Sequence, residues 1–135
     1  MDARIASTRQ KIEIYRADTA NGGIANCPIR NVVQNVSGKW SSLLLMALAE
    51  RPYRFGELRR LVPDISQRML TQTLRDLRRD GYVRREVFAT TPPGVEYSLT
   101  DMGRSIHGAM VHLFHWAENN HASVAAARAA FDAAG

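Results

Sequence analysis

The sequence predicts a mainly α-helical fold carrying one small β-hairpin. Three observations point there. Leu70, Leu74 and Leu77 recur at i, i+4 and i+7, with Gln67, Arg68, Thr71, Gln72 and Arg75 on the other side, which is the pattern of a helix buried along one face. Val95, Tyr97 and Leu99 alternate with Gly94, Glu96 and Ser98, the period-2 pattern of a half-buried strand, and the β-rich run Tyr82 to Phe88 precedes it. Ile106, Met110, Leu113, Phe114 and Ala117 form a broad apolar stripe along a further helix.

Taken in order, residues 1–20 place Ile5, Ile12 and Tyr15 on a helical spacing. Asn21-Gly22-Gly23 should break that helix, because Gly and Asn tolerate positive φ. Pro28 suits the first position of a new helix, where its missing N–H is no loss. That helix should end near Ser37-Gly38. Lys39 to Glu50, rich in Leu, Met and Ala, reads as another, closed by Arg51-Pro52. Tyr53-Arg54-Phe55 reads as a brief extended piece. Phe55, Leu58, Leu61 and Val62 then share one face of a short helix, and Pro63-Asp64 turns the chain. Ser66 can cap the leucine-patterned helix, and Asp80-Gly81 can close it. Ala89 to Gly94 makes the hairpin loop. Thr100 can cap a long helix from Asp101 to about Asn119, and a short Ala-rich helix, His121 to Ala134, is expected after it.

The 135 residues fit one domain with short appendages. Composition is globular, with 45% hydrophobic and 23% charged residues. The longest apolar run, Leu43 to Ala49, is seven residues, against the roughly 20 that span a bilayer. No apolar signal segment stands at the N-terminus, so a soluble cytoplasmic protein with no membrane partner is expected. Cys27 is the single cysteine, which excludes an intrachain disulfide and a multi-thiolate zinc site. Of the 18 basic residues, 16 are Arg. Residues 51–85 hold ten Arg against four acids, a net of +6, and the other hundred residues sum to −1. A basic block in an otherwise neutral chain is the electrostatic footprint of a nucleic-acid binder.

Helix, short strand, helix, tight turn, helix, hairpin and long helix is the order of a winged helix-turn-helix. Its second helix would enter a major groove about 12 Å wide. Gln67, Arg68, Thr71, Gln72 and Arg75 are the residues expected to read bases: Gln can pair with adenine, Arg with guanine, and the Thr methyl can touch a thymine methyl. Arg54, Arg78, Arg79, Arg84 and Arg85 are expected to hold phosphates. The wing tip, Thr90-Thr91-Pro92-Pro93, carries no Lys or Arg and should anchor weakly.

These residues also carry a family resemblance. Cys27-Pro28, Gly38-Lys39-Trp40, Arg54-Phe55-Gly56-Glu57-Leu58, Ile65-Ser66, Met69-Leu70-Thr71, Leu74 and Asp80-Gly81-Tyr82-Val83-x-Arg85 stand in order. Pro93-x-Val95-Glu96-Tyr97-x-Leu99-Thr100-x-x-Gly103 completes the pattern. The run over residues 27–107 resembles the HxlR-type winged helix-turn-helix regulators of bacteria and archaea. The resemblance implies a homodimeric transcription factor, usually a repressor, on a palindromic or near-palindromic operator in double-stranded DNA. It also implies that the terminal helices make the dimer interface. The N-terminal extension, residues 1–26, and the Ala-rich tail after residue 119 depart from the family pattern; residues 101–135 comprise the expected dimerisation helix and that tail.

Dimerisation has independent support, since Ile106, Met110, Leu113, Phe114 and Trp116 would leave an apolar patch on a lone copy. Cys27 has two readings. A thiol at a helix start, with Arg30 nearby, can gain reactivity, and some proteins resembling this one use that cysteine to sense oxidants or electrophiles. Alternatively it is a small packing residue. His107, His112, His115 and His121 lack ligand partners at usual spacing, so no metal and no cofactor are expected. Trp40 and Trp116 read as core and interface anchors, and Lys39 as a local contact. No phosphate loop or catalytic pairing recommends an enzyme, and a thiol enzyme on Cys27 would lack a base. The remaining rival is a winged-helix module that binds protein instead of DNA, which the Arg-rich helix face disfavours.

Overall fold

A computed structural model describes residues 3–135. The side chains of residues 1–7 and Ala25, and with them the expected apolar contact of Ile5, lie outside the described residues. The chain divides into two units, residues 1–44 and 45–135.

In the first unit, helix α1 runs Ala3–Ala17. Two single 3-10 turns follow, Thr19–Asn21 and Gly23–Asn26, and Gly22 and Gly23 take φ of 96° and 61° between and into them. The chain re-enters a helix at Pro28, as its fixed φ allows, but widens into a π-helical turn over Ile29–Val33 before one regular turn, α2, Gln34–Val36. Cys27, Val36 and Leu44 are buried here. Helix α3, Ser41–Glu50, crosses from one unit to the next and starts two residues later than its sequence suggests.

The second unit contains the leucine-patterned core. Strand β1, Tyr53–Arg54, leads into α4, Phe55–Leu61. The Arg54 backbone N–H donates to Glu57 Oε1 at 2.8 Å, and Arg51 donates to Glu57 Oε2 at 3.1 Å. The Arg54 N–H, and then the Arg51 guanidinium, hold the Glu57 carboxyl below the usual carboxylate range. The expected apolar face of α4 is only partly right. Leu58 is fully buried, but Leu61 is 51% exposed, because the next buried anchor is Ile65, beyond the turn. Helix α5, Gln67–Arg79, buries Leu70, Thr73, Leu74 and Leu77. Each fully buried leucine contributes roughly 1.5–3 kcal/mol relative to an exposed one.

Both ends of α5 are tied. Ser66 Oγ accepts from the Met69 N–H at 3.0 Å. At the other end the Tyr82 N–H donates to the Leu77 carbonyl at 2.9 Å and the Gly81 N–H to the Arg78 carbonyl at 3.0 Å, a Schellman closure with Gly81 at φ 84°. Ser66→Ala should cost about 1 kcal/mol, or on the order of 4 °C in melting temperature by circular dichroism. An unchanged melting temperature would show that the cap is not coupled to the cooperative core.

Strands β2, Val83–Phe88, and β3, Gly94–Leu99, form the hairpin, and β1 adds to it, giving an antiparallel sheet in the order β1-β3-β2. The sequence shows the hairpin and a brief extended piece at Tyr53-Arg54-Phe55; the structure shortens that piece to two residues and adds it to the sheet by pairing Tyr53 with Tyr97 and Arg54 with Glu96. Helix α6 runs unbroken over Asp101–Ala134, 34 residues. The expected separation into two helices near Asn119 is therefore corrected: neither Asn is a strong breaker, and Asn120 Nδ2 donates back to the Trp116 carbonyl at 2.8 Å, keeping within the turn. No helix among the described residues is long and apolar enough to cross a membrane.

Candidate nucleic-acid interface

Leucine spacing decides which face of α5 is outward. Arg68, Gln72, Arg75 and Arg79 fall at i, i+4, i+7 and i+11, one stripe opposite the buried leucines, and all four are exposed. Thr71 and Arg78 flank that stripe on one side, and Met69, 44% exposed, lies on the other. Arg79 is thus on the same stripe as the expected base readers, although the sequence reading groups it with the phosphate contacts.

Two expected base readers are already engaged. Gln67 Oε1 accepts from Arg59 Nη1 of α4 at 3.0 Å. Gln72 Nε2 donates to Asp76 Oδ1, one turn along, at 2.8 Å. A base edge would have to exchange with these partners. Arg59 is a residue that the sequence gives no reason to single out, because its partner is set by the angle between α4 and α5. By contrast, the side chains of Arg68, Arg75, Arg78, Arg79, Arg84 and Arg85 make no hydrogen bond or ion pair among the described residues. Exposed guanidiniums without internal partners are available to phosphate and guanine.

The remaining basic residues are placed by the sheet. Arg84 pairs with Ser98, and Arg85 pairs with Tyr97, whose ring is buried with that of Tyr53. Adjacent strand residues point to opposite faces, so Arg84 and Arg85 do not act side by side. Arg54 stands apart from the α5 arginines. Its guanidinium lies 5.8 Å from the centre of the Phe88 ring and across Gly94, where an added Cβ would come within 2.9 Å of its Cζ. It ties β1 to the base of the wing. The wing loop carries no cation, and Thr90 Oγ1 donates to the Pro92 carbonyl at 2.7 Å.

Along α6, Met110 is buried and Ile106 and Phe114 are half-buried, while Leu113 and Trp116 are 59% and 57% exposed. The helix start is fixed by Thr100, whose Oγ1 accepts from the Gly103 N–H at 3.0 Å and donates to the Gly81 carbonyl at 2.5 Å. This hydroxyl joins the closure of α5 to the start of α6.

Cys27, in the first unit, is buried. Its carbonyl accepts from the Asn31 N–H at 2.8 Å. With Thr8, Lys11, Ile12, Tyr15, Pro28 and Ile29 it lines a largely apolar cavity of about 160 Å³.

Comparison with known proteins agrees with this arrangement. Residues 35–124 match the family model described as HxlR-like helix-turn-helix. The HTH-type transcriptional regulator YdeP of Bacillus subtilis is 43% identical over 101 residues, 75% of this chain and 79% of that protein. Among solved structures, the redox regulator HypR in its reduced form is similar at a TM-score of 0.70 and 39% identity, over 73% of this chain and 98% of that one. Its oxidised form matches as well. The reduced form of the transcriptional regulator YodB from B. subtilis is similar at a TM-score of 0.63 and 31% identity, over 68% of this chain and 91% of that one. With an arginine-bearing helix backed by buried leucines and a hairpin beside it, the chain belongs to the HxlR-like helix-turn-helix family of DNA-binding transcriptional regulators, and its fold is a winged helix.

Proposed function

We propose that this chain is a cytoplasmic, homodimeric repressor that binds a near-palindromic operator through α5. The observation that carries this reading is the stripe of exposed arginines without internal partners on α5, directly opposite its buried leucines. Arg68, Thr71, Gln72 and Arg75, with Gln67 once released from Arg59, read bases. Arg78, Arg79, Arg84 and Arg85 hold phosphates, and Arg54 contributes from the base of the wing. Residues 27–107 act as the DNA-binding domain. The exposed Leu113 and Trp116 favour a second copy against α6, with Ile106, Met110 and Phe114 completing the interface. Two recognition helices would then lie about 34 Å apart, one turn of DNA.

Cys27 is the proposed sensor. Its burial argues against reaction with bulky reagents, but the cavity beside it admits a small oxidant or electrophile. The relatives named as a redox regulator support this reading. With one cysteine per chain, oxidation leads to an intersubunit or mixed disulfide, or alkylation follows instead.

The test is a mobility-shift titration with DNA upstream of the protein's own coding region, at two salt concentrations, with and without diamide. Sedimentation of the free protein is measured alongside. Tight, salt-sensitive binding by a dimer, abolished by diamide and restored by reductant, is expected. Cys27→Ser should bind equally well and ignore diamide. A diamide response that persists in Cys27→Ser would remove the sensor, and binding no tighter than to unrelated DNA would remove the regulator of its own promoter.

A further inference from the structure

Beyond the reading stripe, α5 and the start of β2 enclose an open hollow of about 330 Å³. Its lining is Arg75, Arg78, Arg79 and Val83. No carboxylate lines it, and none of the three guanidiniums has a hydrogen-bond or ion-pair partner among the described residues. Three like charges held around one concavity repel one another, and no carboxylate in the lining offsets that repulsion. The helix C-terminus contributes only about −0.5 of a charge, and its last carbonyls are already occupied by the Gly81 and Tyr82 N–H groups. The wall of the hollow is therefore positively charged.

We propose that this hollow is a single-phosphate site, in which Arg75, Arg78 and Arg79 together grip the oxygens of one phosphate group. Arg75 is thereby moved from base reading to phosphate holding. This rests on the DNA-binding reading above only for the source of the phosphate. Arg68 and Arg79 are eleven residues apart, about 16 Å along the helix axis, more than the roughly 12 Å width of a major groove. With the Arg68 end among the bases, the Arg79 end meets the groove wall, where the backbone phosphates run. A free phosphomonoester presents the same oxygens with more charge and would occupy the same hollow, in competition with DNA.

The experiment has two arms, both on the full chain at constant ionic strength. In the first, inorganic phosphate replaces chloride while the arginine Nε–H resonances are followed by NMR. Saturable shifts are expected at Arg75, Arg78 and Arg79 and not at Arg68, with apparent affinity falling at least tenfold in Arg78→Gln/Arg79→Gln. In the second, the same variant is titrated with operator and scrambled duplexes. Binding should weaken at least tenfold on both, and the slope of log affinity against log salt should fall by about two for the dimer, one phosphate per copy, since both side chains serve one phosphate. The single variants Arg78→Gln and Arg79→Gln, with melting curves, guard against a folding defect.

Phosphate binding with the reduced slope assigns the hollow to the DNA backbone. Phosphate binding with unchanged DNA affinity assigns it to a free phosphate and removes these arginines from the DNA interface. Absence of saturable phosphate binding overturns the proposal, whether or not the chain binds DNA, and a slope change of about four for the dimer, two phosphates per copy, overturns the single-phosphate grip.

Discussion

Gly103→Ala is expected to destabilise the protein by about 2–3 kcal/mol, within the range for forcing extra volume into a packed site. Gly103 lies in the first turn of α6, against the end of the α5 closure. An added methyl would run into the carbonyl oxygen of Tyr82, and would stand 3.0 Å from its carbonyl carbon and 3.2 Å from Leu99 Cδ2. That carbonyl cannot easily yield, because it accepts the Thr100 N–H at 3.0 Å. Moving α6 away would instead strain the bonds from Thr100 Oγ1 to Gly81 and from Gly103 to Thr100 Oγ1. The gain from alanine's helix propensity, at most about 1 kcal/mol, does not offset this. Melting temperature should fall on the order of 10 °C. Gly108 is the control. It is exposed on the same helix, and an added Cβ meets nothing within 4 Å, so Gly108→Ala should be neutral or stabilising by up to about 1 kcal/mol. Equal behaviour of the two variants would refute the close approach of α6 to Tyr82.

Arg68→Ala is expected to have opposite effects on stability and specificity. Arg68 stands in the first turn of α5, where the helix dipole disfavours a cation by about 0.3–1 kcal/mol, and no internal partner compensates it. Its removal should therefore leave the melting temperature unchanged or raise it slightly. In DNA binding, losing one bidentate base contact costs about 1–3 kcal/mol of discrimination, roughly 5- to 150-fold between operator and scrambled duplex. Arg84→Ala should instead weaken both duplexes alike, as a phosphate contact does. Titrating both duplexes with both variants by fluorescence anisotropy separates the cases. If Arg68→Ala weakens the two duplexes equally, Arg68 is a phosphate contact and the base-reading assignment fails.

Much of this architecture is legible in the sequence because it is local. Leu70, Leu74 and Leu77 determine which face of α5 is buried and therefore which face carries the arginines. Ser66, Gly81 and Thr100 mark their caps by chemistry that needs no tertiary partner. The alternation of β3 and the family motif from Arg54 to Gly103 carry the hairpin and the class of protein. Periodicity is less informative where the next buried residue lies across a turn, as at Leu61, or where only weak breakers interrupt a long helix, as at Asn119 and Asn120.

What the sequence by itself determined is therefore the winged-helix class, the basic reading face of α5 and the ends of that helix, all set by spacings within a few residues. Only the tertiary structure decided which of the basic and polar residues are free. It engaged Gln67 with Arg59, laid Arg54 across Gly94 towards Phe88, turned Arg84 and Arg85 to opposite faces, and gathered Arg75, Arg78 and Arg79 around one hollow. The physical reason is that a side chain's partners depend on the angle and register between elements, which are set by packing of residues far apart in the chain.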